Sequence, residues 1–162
     1  KGFALNAQFQ GASRFTIQVS DIARVPYFNE STPFKYQYEH RWTPDNPESD
    51  TPTNTNPNAQ IPYVDATGAS WSQNNNRTST FWLKDGTYLR LKQLSLSYTL
   101  PSQFTESLGL QRFRVGLSGS NLITWDRLGI YSDAYDPESP GTQNGRQYPL
   151  TKSYQLSIDL TL

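Results

Sequence analysis

The last nine residues of the chain alternate between apolar and polar side chains. Every even position from 154 to 162 is apolar, and every odd position between them is polar. Because the side chains of a β-strand point alternately to its two faces, this period of two predicts a strand with one apolar face near residues 152–162. Such a strand suits a soluble sheet that buries the face. It equally suits a membrane barrel, whose strands need only about 9–11 residues with every second one apolar. The apolar residues are Tyr154, Leu156, Ile158, Leu160 and Leu162.

Three further stretches have the same alternation, and we predict strands near residues 3–19, 89–100 and 112–125. In the first of these every apolar residue larger than alanine lies at an odd position, which predicts one long strand instead of a tight hairpin. Its roughly 17 residues, at about 3.3 Å each, would project well beyond an apolar membrane band about 25 Å high. Trp125, at the end of the third stretch, suits either an interfacial aromatic girdle or an ordinary strand end.

The second of these stretches changes phase along its length. Its apolar residues are at even positions from Leu94 onward, but Leu89 and Leu91 are at odd positions. A β-bulge between the two parts would shift the phase. Alternatively, the strand has already risen above the hydrocarbon and turns Arg90 and Lys92 outward, since charges are costly in lipid only near its midplane. We favour the second interpretation.

The connections between these strands alternate in length. Residues 20–87 and 126–150 form long connections that are rich in polar residues and proline, whereas residues 101–111 form a short one. Membrane barrels have large extracellular loops and small periplasmic turns, while structureless loops of this length are unusual in a soluble domain. The pattern predicts an all-β fold, an antiparallel transmembrane β-barrel segment with two long extracellular loops and a periplasmic turn at 101–111.

Composition argues against several other classes of protein. The net charge is zero, with 14 basic and 14 acidic residues, which leaves no basic excess for binding nucleic acid. The absence of cysteine excludes disulfides and cysteine zinc sites. No apolar run approaches the roughly 20 residues that a membrane helix requires. Methionine is also absent, so we expect that Lys1 is not a translation start and that the chain is either a processed protein or a fragment of a longer one.

Groups suited to catalysis or metal binding are sparse. His40 is the only histidine and adjoins Arg41 in a long loop, where we expect a structural role or simple exposure to solvent. Four acidic residues of the second loop carry oxygen ligands for calcium, but their spacing does not match an EF-hand, and we expect them to be solvated. We predict no catalytic residue, no cofactor and no metal, and therefore no enzyme. The four acidic residues are Asp126, Asp133, Asp136 and Glu138.

Aromatic residues in the first long loop are the candidate substrate-binding residues. Their rings are able to stack on sugars, and the candidates are Trp42, Tyr63 and Trp71. The alternative is that these rings pack the loops against one another and against a partner protein.

Several short strings occur along the chain in a fixed order. They are WTPDNP (42–47), STFWLKDGTYLRLK (79–92), LSLSYTLP (94–101), SGSNLITW (118–125), YDPE (135–138) and YPL (148–150). Each string is weakly specific by itself, but together they extend along the chain from residue 42 to residue 150. As an ordered series they resemble the SusC/RagA family of TonB-dependent transporters.

The resemblance implies a 22-stranded barrel in the outer membrane of a Gram-negative bacterium, of which this chain supplies about the last four strands. The plug of that barrel lies outside the sequence. The resemblance also implies active import of oligosaccharides or peptides, a SusD-like surface lipoprotein that closes over the barrel, and energy from a TonB–ExbB–ExbD complex acting on the plug. Barrels of this kind usually end on an aromatic residue, whereas this chain ends on Leu162.

Two other functions are compatible with an all-β sequence, namely a soluble carbohydrate-binding module and an adhesin-like surface domain. The sequence contains no repeat of fixed period. A soluble module exposes charged side chains on its strands, but the apolar faces of residues 113–119 and 154–162 carry no charge. We therefore interpret the chain as barrel wall in contact with outer-membrane lipid and as part of an extracellular vestibule. The soluble all-β carbohydrate-binding module is the main alternative.

Overall fold

The computed structural model describes residues 2–26, 32–46, 48–63, 74–75, 77–107, 109–139, 148 and 150–162. In chain order its elements are β1 (Phe3–Ala12), β2 (Thr16–Gln18), α1 (Lys35–His40), β3 (Leu83–Asp85), β4 (Tyr88–Thr99), α2 (Ser102–Glu106), β5 (Arg112–Asp126) and β6 (Ser153–Thr161). Short 3-10 turns lie at Asp21–Ala23, Thr80–Trp82 and Gly129–Tyr131. The chain divides into two units, of which the first holds β1, β4, α2, β5 and β6 and the second holds β2, α1 and β3.

The first unit is a four-stranded antiparallel sheet in the order β1-β4-β5-β6. Three of its strands begin and end within one residue of the stretches 89–100, 112–125 and 152–162 that the alternation predicts. The prediction of an antiparallel all-β segment is confirmed. The short connection from β4 to β5 contains α2.

The strand register brings the apolar positions of all four strands into common rows. One row consists of four leucines that pair in succession, Leu5 with Leu96, Leu96 with Leu117, and Leu117 with Leu156. These four side chains are between 47% and 71% exposed. The neighbouring row contains Phe3, Tyr98, Val115 and Ile158. The first unit therefore presents one continuous, exposed apolar face.

The opposite face of the sheet is polar and carries small side chains. Ser97 on this face is only 8% exposed, and its hydroxyl accepts a hydrogen bond from Arg114 Nη2 at 2.8 Å. Nearer the other end of the sheet, Arg90 Nε donates to Thr124 Oγ1 at 2.8 Å, and Arg90 is buried. A soluble sheet buries its apolar face, whereas this sheet exposes it.

The prediction of one strand over 3–19 is wrong, because the chain leaves the four-stranded sheet after Ala12. Arg14 has a φ of 61°, in the left-handed region that does not continue a β-ladder. After this break, β2 forms a separate two-stranded sheet with β3, the segment that directly precedes β4. The chain that follows β1 thus pairs again with the chain that precedes β4, after an interruption of three residues between β1 and β2.

We favoured outward-facing side chains for Arg90 and Lys92 over a β-bulge as the reason for the change of phase. This interpretation is wrong, because β4 contains the bulge. In the pairing with β1, Gln8 lies opposite Gln93 and the next residue, Phe9, lies opposite Leu91, so the register skips Lys92. On the other side the register of β5 shifts at the same place, where Asn121 has a φ of 52°. Leu91 therefore pairs with Ile123, and the apolar face continues past the bulge.

The second unit shows that the two long connections are not structureless. Val19 N donates to Trp82 O at 2.8 Å beside the β2–β3 sheet. Around this sheet lies a hydrophobic core to which both connections contribute side chains. Its buried members are Ile17, Val19, Ala23, Tyr36, Ile61, Trp82, Leu128, Tyr131, Ala134 and Tyr135. Within the described part of the chain, no helix is both long and apolar enough to cross a membrane.

Candidate functional site

The first long loop is anchored at α1 by buried side chains. The Tyr36 hydroxyl donates to the carbonyl of Ala23, and Gln37 Nε2 donates to the carbonyl of Ile22 at 2.8 Å. Gln37 Oε1 also accepts the backbone N–H of Phe34, the residue that precedes the helix, at 2.7 Å. Because both side chains are buried, α1 is fixed firmly to the preceding turn.

Backbone hydrogen bonds then close the segment 40–61 on itself. The carbonyl of His40 accepts the N–H groups of Gln60 and Ile61 at 2.8 and 3.0 Å, and Trp42 N donates to Ile61 O at 2.9 Å. Further along, Thr55 N donates to Thr43 O at 2.8 Å. These bonds hold Trp42 at the closed end of the segment.

Amide side chains tie the interior of this segment to its backbone. Asn56 Nδ2 donates to the carbonyls of Glu39 and Arg41 at 2.9 and 2.8 Å, while its Oδ1 accepts Asn58 N at 2.9 Å. Asn54 Oδ1 accepts the backbone N–H of Thr43 at 3.0 Å. Asparagine satisfies turn backbone groups efficiently in this way, which explains why so polar a sequence has a defined path.

A carboxylate completes the turn at the far end of the segment. Asp45 Oδ2 accepts the Thr53 hydroxyl at 2.8 Å, and Oδ1 accepts the Thr53 backbone N–H at 2.9 Å. These bonds from Thr53, together with one from the backbone of Asn46, hold the pKa of Asp45 below its usual range. The charged form of Asp45 is therefore the one that closes this turn.

The structure brings two of the three candidate aromatic residues together. The rings of Trp42 and Tyr63 have centroids 6.1 Å apart and are nearly perpendicular, at 82°, and both residues are half-buried. Trp71 lies outside the described residues. Beside this pair, the Arg41 guanidinium lies 4.1 Å from the centroid of the exposed Tyr38 ring. The substrate-binding role of Trp42 and Tyr63 stays a prediction.

The residues considered for catalysis or metal binding make local contacts. His40 Nδ1 lies 3.1 Å from the carbonyl oxygen of Asn58. Asp136 Oδ1 accepts the backbone N–H of Glu138 at 3.0 Å, as expected of an Asx turn. Across the residues that the structure describes, no group of three or more His, Asp or Glu side chains is arranged to hold a metal ion.

Sequence reasoning missed a junction formed by Asp85, Gly86 and Thr87. Asp85 Oδ1 accepts Thr87 N at 2.9 Å, and Asp85 Oδ2 lies 3.3 Å from Arg127 Nη1. Phe15 O accepts Gly86 N at 3.0 Å, and Thr87 O accepts Arg127 N at 3.2 Å. The hydrogen bonds from Thr87, with a smaller effect of Arg127, hold the pKa of Asp85 below its usual range. The string Asp-Gly-Thr is a turn signal that predicts the Asx turn but not its long-range partners.

An aromatic cluster in the core was also not predicted. Tyr36 and Tyr131 pack edge to face with centroids 5.1 Å apart, and Lys84 Nζ lies 4.9 Å from the Phe81 ring and 5.1 Å from the Tyr131 ring. Burial raises the pKa of Tyr131 to about 12 and also raises that of Tyr36. Burial lowers the pKa of Lys84. The cluster is a packing feature that carries cation–π contacts.

Comparison with known proteins identifies the family. No protein-family model matches the chain. It is 37% identical over 122 residues to TonB-dependent receptor P3 of Formosa agariphila, covering 68% of this chain and 11% of that protein. It is 30% identical over 159 residues to TonB-dependent receptor P26 of the same organism, covering 85% of this chain and 13% of that protein. The chain thus spans little more than a tenth of these relatives.

Solved structures give the same result. The RagAB peptide importer in its open-open state matches with a TM-score of 0.58 and 29% identity over 100% of this chain and 16% of that chain. Its closed-closed state matches with a TM-score of 0.58 and 30% identity over 99% of this chain and 16% of that chain. These relatives are named as receptors and an importer, not as enzymes.

The chain forms an antiparallel sheet with an exposed apolar face, and its relatives are TonB-dependent receptors and an importer. These observations identify it as a barrel fragment of a TonB-dependent transporter. The chain belongs to the SusC/RagA family of that class, as a C-terminal fragment. The resemblance and the fold class that the sequence predicts are confirmed. The count of 22 strands and the extracellular placement of the two long loops stay predictions.

Proposed function

We propose that the protein containing this chain imports a nutrient actively across the outer membrane of a Gram-negative bacterium, and that this chain forms barrel wall and part of the extracellular vestibule. The single observation that carries the proposal is the row of four exposed leucines, Leu5, Leu96, Leu117 and Leu156, in register across four strands. Lipid is the environment in which such a face is stable.

The edges of the sheet support the same proposal. β1 and β6 each have one neighbour in the described sheet, so each presents an outer edge. In hydrocarbon an unpaired strand edge is prohibitively costly, because its N–H and C=O groups have no water to bind. The remaining strands of a closed barrel supply the partners of both edges. The similarity to transporters several times longer than this chain supports this completion.

The second unit is the proposed vestibule. Trp42 and Tyr63 form the part of it that contacts substrate, since their half-buried rings lie on a segment that internal hydrogen bonds hold in place. The short connection 101–111 lies at the periplasmic end. A SusD-like lipoprotein covers the vestibule, and a TonB–ExbB–ExbD complex supplies energy through the plug. The substrate is an oligosaccharide or a peptide, and the name of the RagAB peptide importer supports a peptide.

The test uses the full-length transporter in its own bacterium. A deletion strain is grown with peptides or with oligosaccharides as the only source of the limiting nutrient. The strain is then complemented with the wild-type transporter and assayed with and without a protonophore. Import predicts that growth on one substrate class requires the transporter and the proton gradient. Undiminished growth of the deletion strain on both classes, or recovery of the protein outside the outer-membrane fraction, would refute the proposal.

The vestibule role is tested separately with Trp42→Ala and Tyr63→Ala in the full-length protein. Both substitutions should raise the half-saturating substrate concentration for uptake while the amount of barrel in the membrane is unchanged. Phe81→Ala, an exposed ring elsewhere in the second unit, is the matched control. Equal uptake curves for all three variants and the wild type would exclude a substrate contact at this pair.

A further inference from the structure

The turn helix α2 carries an exposed phenylalanine at the end of the apolar face. Phe104 is 62% exposed, whereas the next residue, Thr105, is 1% exposed. Within the helix, the polar residues Ser102, Gln103 and Glu106 are exposed beside Phe104. In a turn surrounded by water, such a ring would gain nothing by its exposure.

The exposure of Phe104 is built into the turn, because hydrogen bonds lock the turn at both ends. Phe104 N donates to Pro101 O at 3.0 Å, and Leu110 N donates to Thr105 O at 3.0 Å. Gly109, with a φ of 70°, donates to Glu106 O at 3.0 Å. The last two bonds form a Schellman motif, which ends the helix in one defined geometry. The ring is thus presented outward by a fixed scaffold.

The position of α2 follows from the strands that it joins. Leu100 N donates to Phe113 O at 2.9 Å just before the helix, and Phe113 is the first apolar-face residue of β5. From Phe113 to Trp125 this face spans about 12 residues, which at about 3.3 Å each and a tilt of about 45° rises about 28 Å. That height is close to the apolar band of a barrel, about 25 Å, so α2 lies at the border of the band.

We propose that α2 lies in the interfacial layer of the inner leaflet and inserts Phe104 into lipid, instead of projecting into periplasmic water. This inference rests on the proposed barrel. Phospholipid fits better than a protein partner for two reasons. Among the described residues of α2, Phe104 is the one exposed large apolar side chain, which is far smaller than the contiguous apolar patch that protein docking uses. In addition, the apolar face of the sheet carries an aromatic pair near the same end of β4, where Phe3 and Tyr98 lie with ring centroids 4.4 Å apart.

The test exploits the absence of cysteine from this chain. Spin labels are attached to Phe104→Cys, Glu106→Cys and Leu117→Cys in the full-length transporter, with any cysteine elsewhere in the protein replaced, after reconstitution in phospholipid nanodiscs without other proteins. Collision with oxygen reports lipid, and collision with a water-soluble nickel chelate reports water. We expect labels at 104 and 117 to collide mainly with oxygen and the label at 106 to collide mainly with the nickel chelate.

The outcomes separate this inference from the proposed function. A lipid-exposed label at 117 with a water-exposed label at 104 would overturn the anchor and keep the barrel. A water-exposed label at 117 would overturn the barrel itself. A label at 104 shielded from both reagents would show protein packing and also overturn the anchor. Photolabelling of the unmodified protein with a diazirine phospholipid gives a readout without any substitution. Adducts on the peptide 101–111 are expected, and their absence would contradict the proposal.

Discussion

The phenyl ring of Phe15 occupies the space that a β-carbon on Gly86 would need. A β-carbon built on Gly86 would lie 2.3 Å from Phe15 Cε2, and the two residues are joined by the hydrogen bond from Gly86 N to Phe15 O at 3.0 Å. Phe15 in turn packs against the core of the second unit. Phe15 lies three residues after the end of β1, so this contact is made at the start of the second unit.

Gly86→Ala should therefore destabilise the second unit by about 1–3 kcal/mol, because the Phe15 ring must leave its position against the core. Hydrogen-exchange mass spectrometry on the full-length transporter should show faster exchange in peptides covering residues 14–20 and 80–87. The double variant Phe15→Leu/Gly86→Ala is the control, since a smaller side chain at 15 relieves the overlap. If Gly86→Ala costs the same in both backgrounds, the contact with Phe15 is not the reason for glycine at this position.

A charge in the middle of the leucine row should prevent stable insertion, whereas the same charge one residue away should not. Leu117→Lys places an ammonium near the midplane of the apolar face, at a cost of about 2–4 kcal/mol. Ser118→Lys places it on the opposite, polar face of the same strand. The measurement is the yield of heat-modifiable barrel in outer membranes. Equal yields of the two variants would contradict a lipid-facing row.

Loss of the hydroxyl should destabilise the second unit at one core tyrosine but not at another. The Tyr36 hydroxyl donates to the carbonyl of Ala23, so Tyr36→Phe should cost about 1–3 kcal/mol by leaving that buried acceptor unpaired. The Tyr131 hydroxyl is buried and has no hydrogen-bond partner within the described structure. Tyr131→Phe should therefore leave stability unchanged or raise it. Hydrogen exchange of peptides 20–26 and 129–135 measures both, and a larger loss for Tyr131→Phe would contradict the assignment.

Acid should open the turn that Asp45 closes. The folded-state pKa of Asp45 lies below its ordinary value of about 3.9 because Thr53 donates two hydrogen bonds to its carboxylate. Its contribution is therefore fully present above that value and is lost as the pH falls through the folded-state pKa. Exchange of peptides 42–55, corrected for intrinsic rates, should increase at low pH in the wild type.

Asp45→Asn keeps an acceptor oxygen but removes the titration, so exchange in this variant should no longer depend on pH in that window. A wild-type pH dependence that survives in Asp45→Asn would assign it to another group.

The apolar face of the sheet could be predicted from sequence because it depends on local geometry alone. Successive side chains of any strand alternate between faces, so the positions 154–162 identify their own apolar face without knowledge of neighbours. The ordered series of short strings between residues 42 and 150 indicated the family. The same argument failed for residues 3–19, where unbroken parity concealed the break at Arg14. Apolar residues can lie at odd positions on both sides of a break in the strand. The alternation pattern therefore does not show whether the strand is continuous.

The candidate site was only partly predictable. The sequence named Trp42 and Tyr63 as loop aromatics, but their contact depends on backbone bonds between segments about 20 residues apart. The bulge at Lys92 likewise depends on both neighbouring strands, whose registers shift at the same place. Contacts and registers of this kind depend on the whole fold, because the buried polar groups of distant segments must all find hydrogen-bond partners in the same arrangement.

By itself, the sequence determined the approximate bounds of β4, β5 and β6, the apolar face of β6, and the family to which the chain belongs. The tertiary structure decided how the strands align into one row of leucines, where β1 gives way to β2, and that the long connections share a core around Trp82. The physical reason is that alternation is a property of the local backbone, whereas register and core packing are set by contacts between residues distant in the chain.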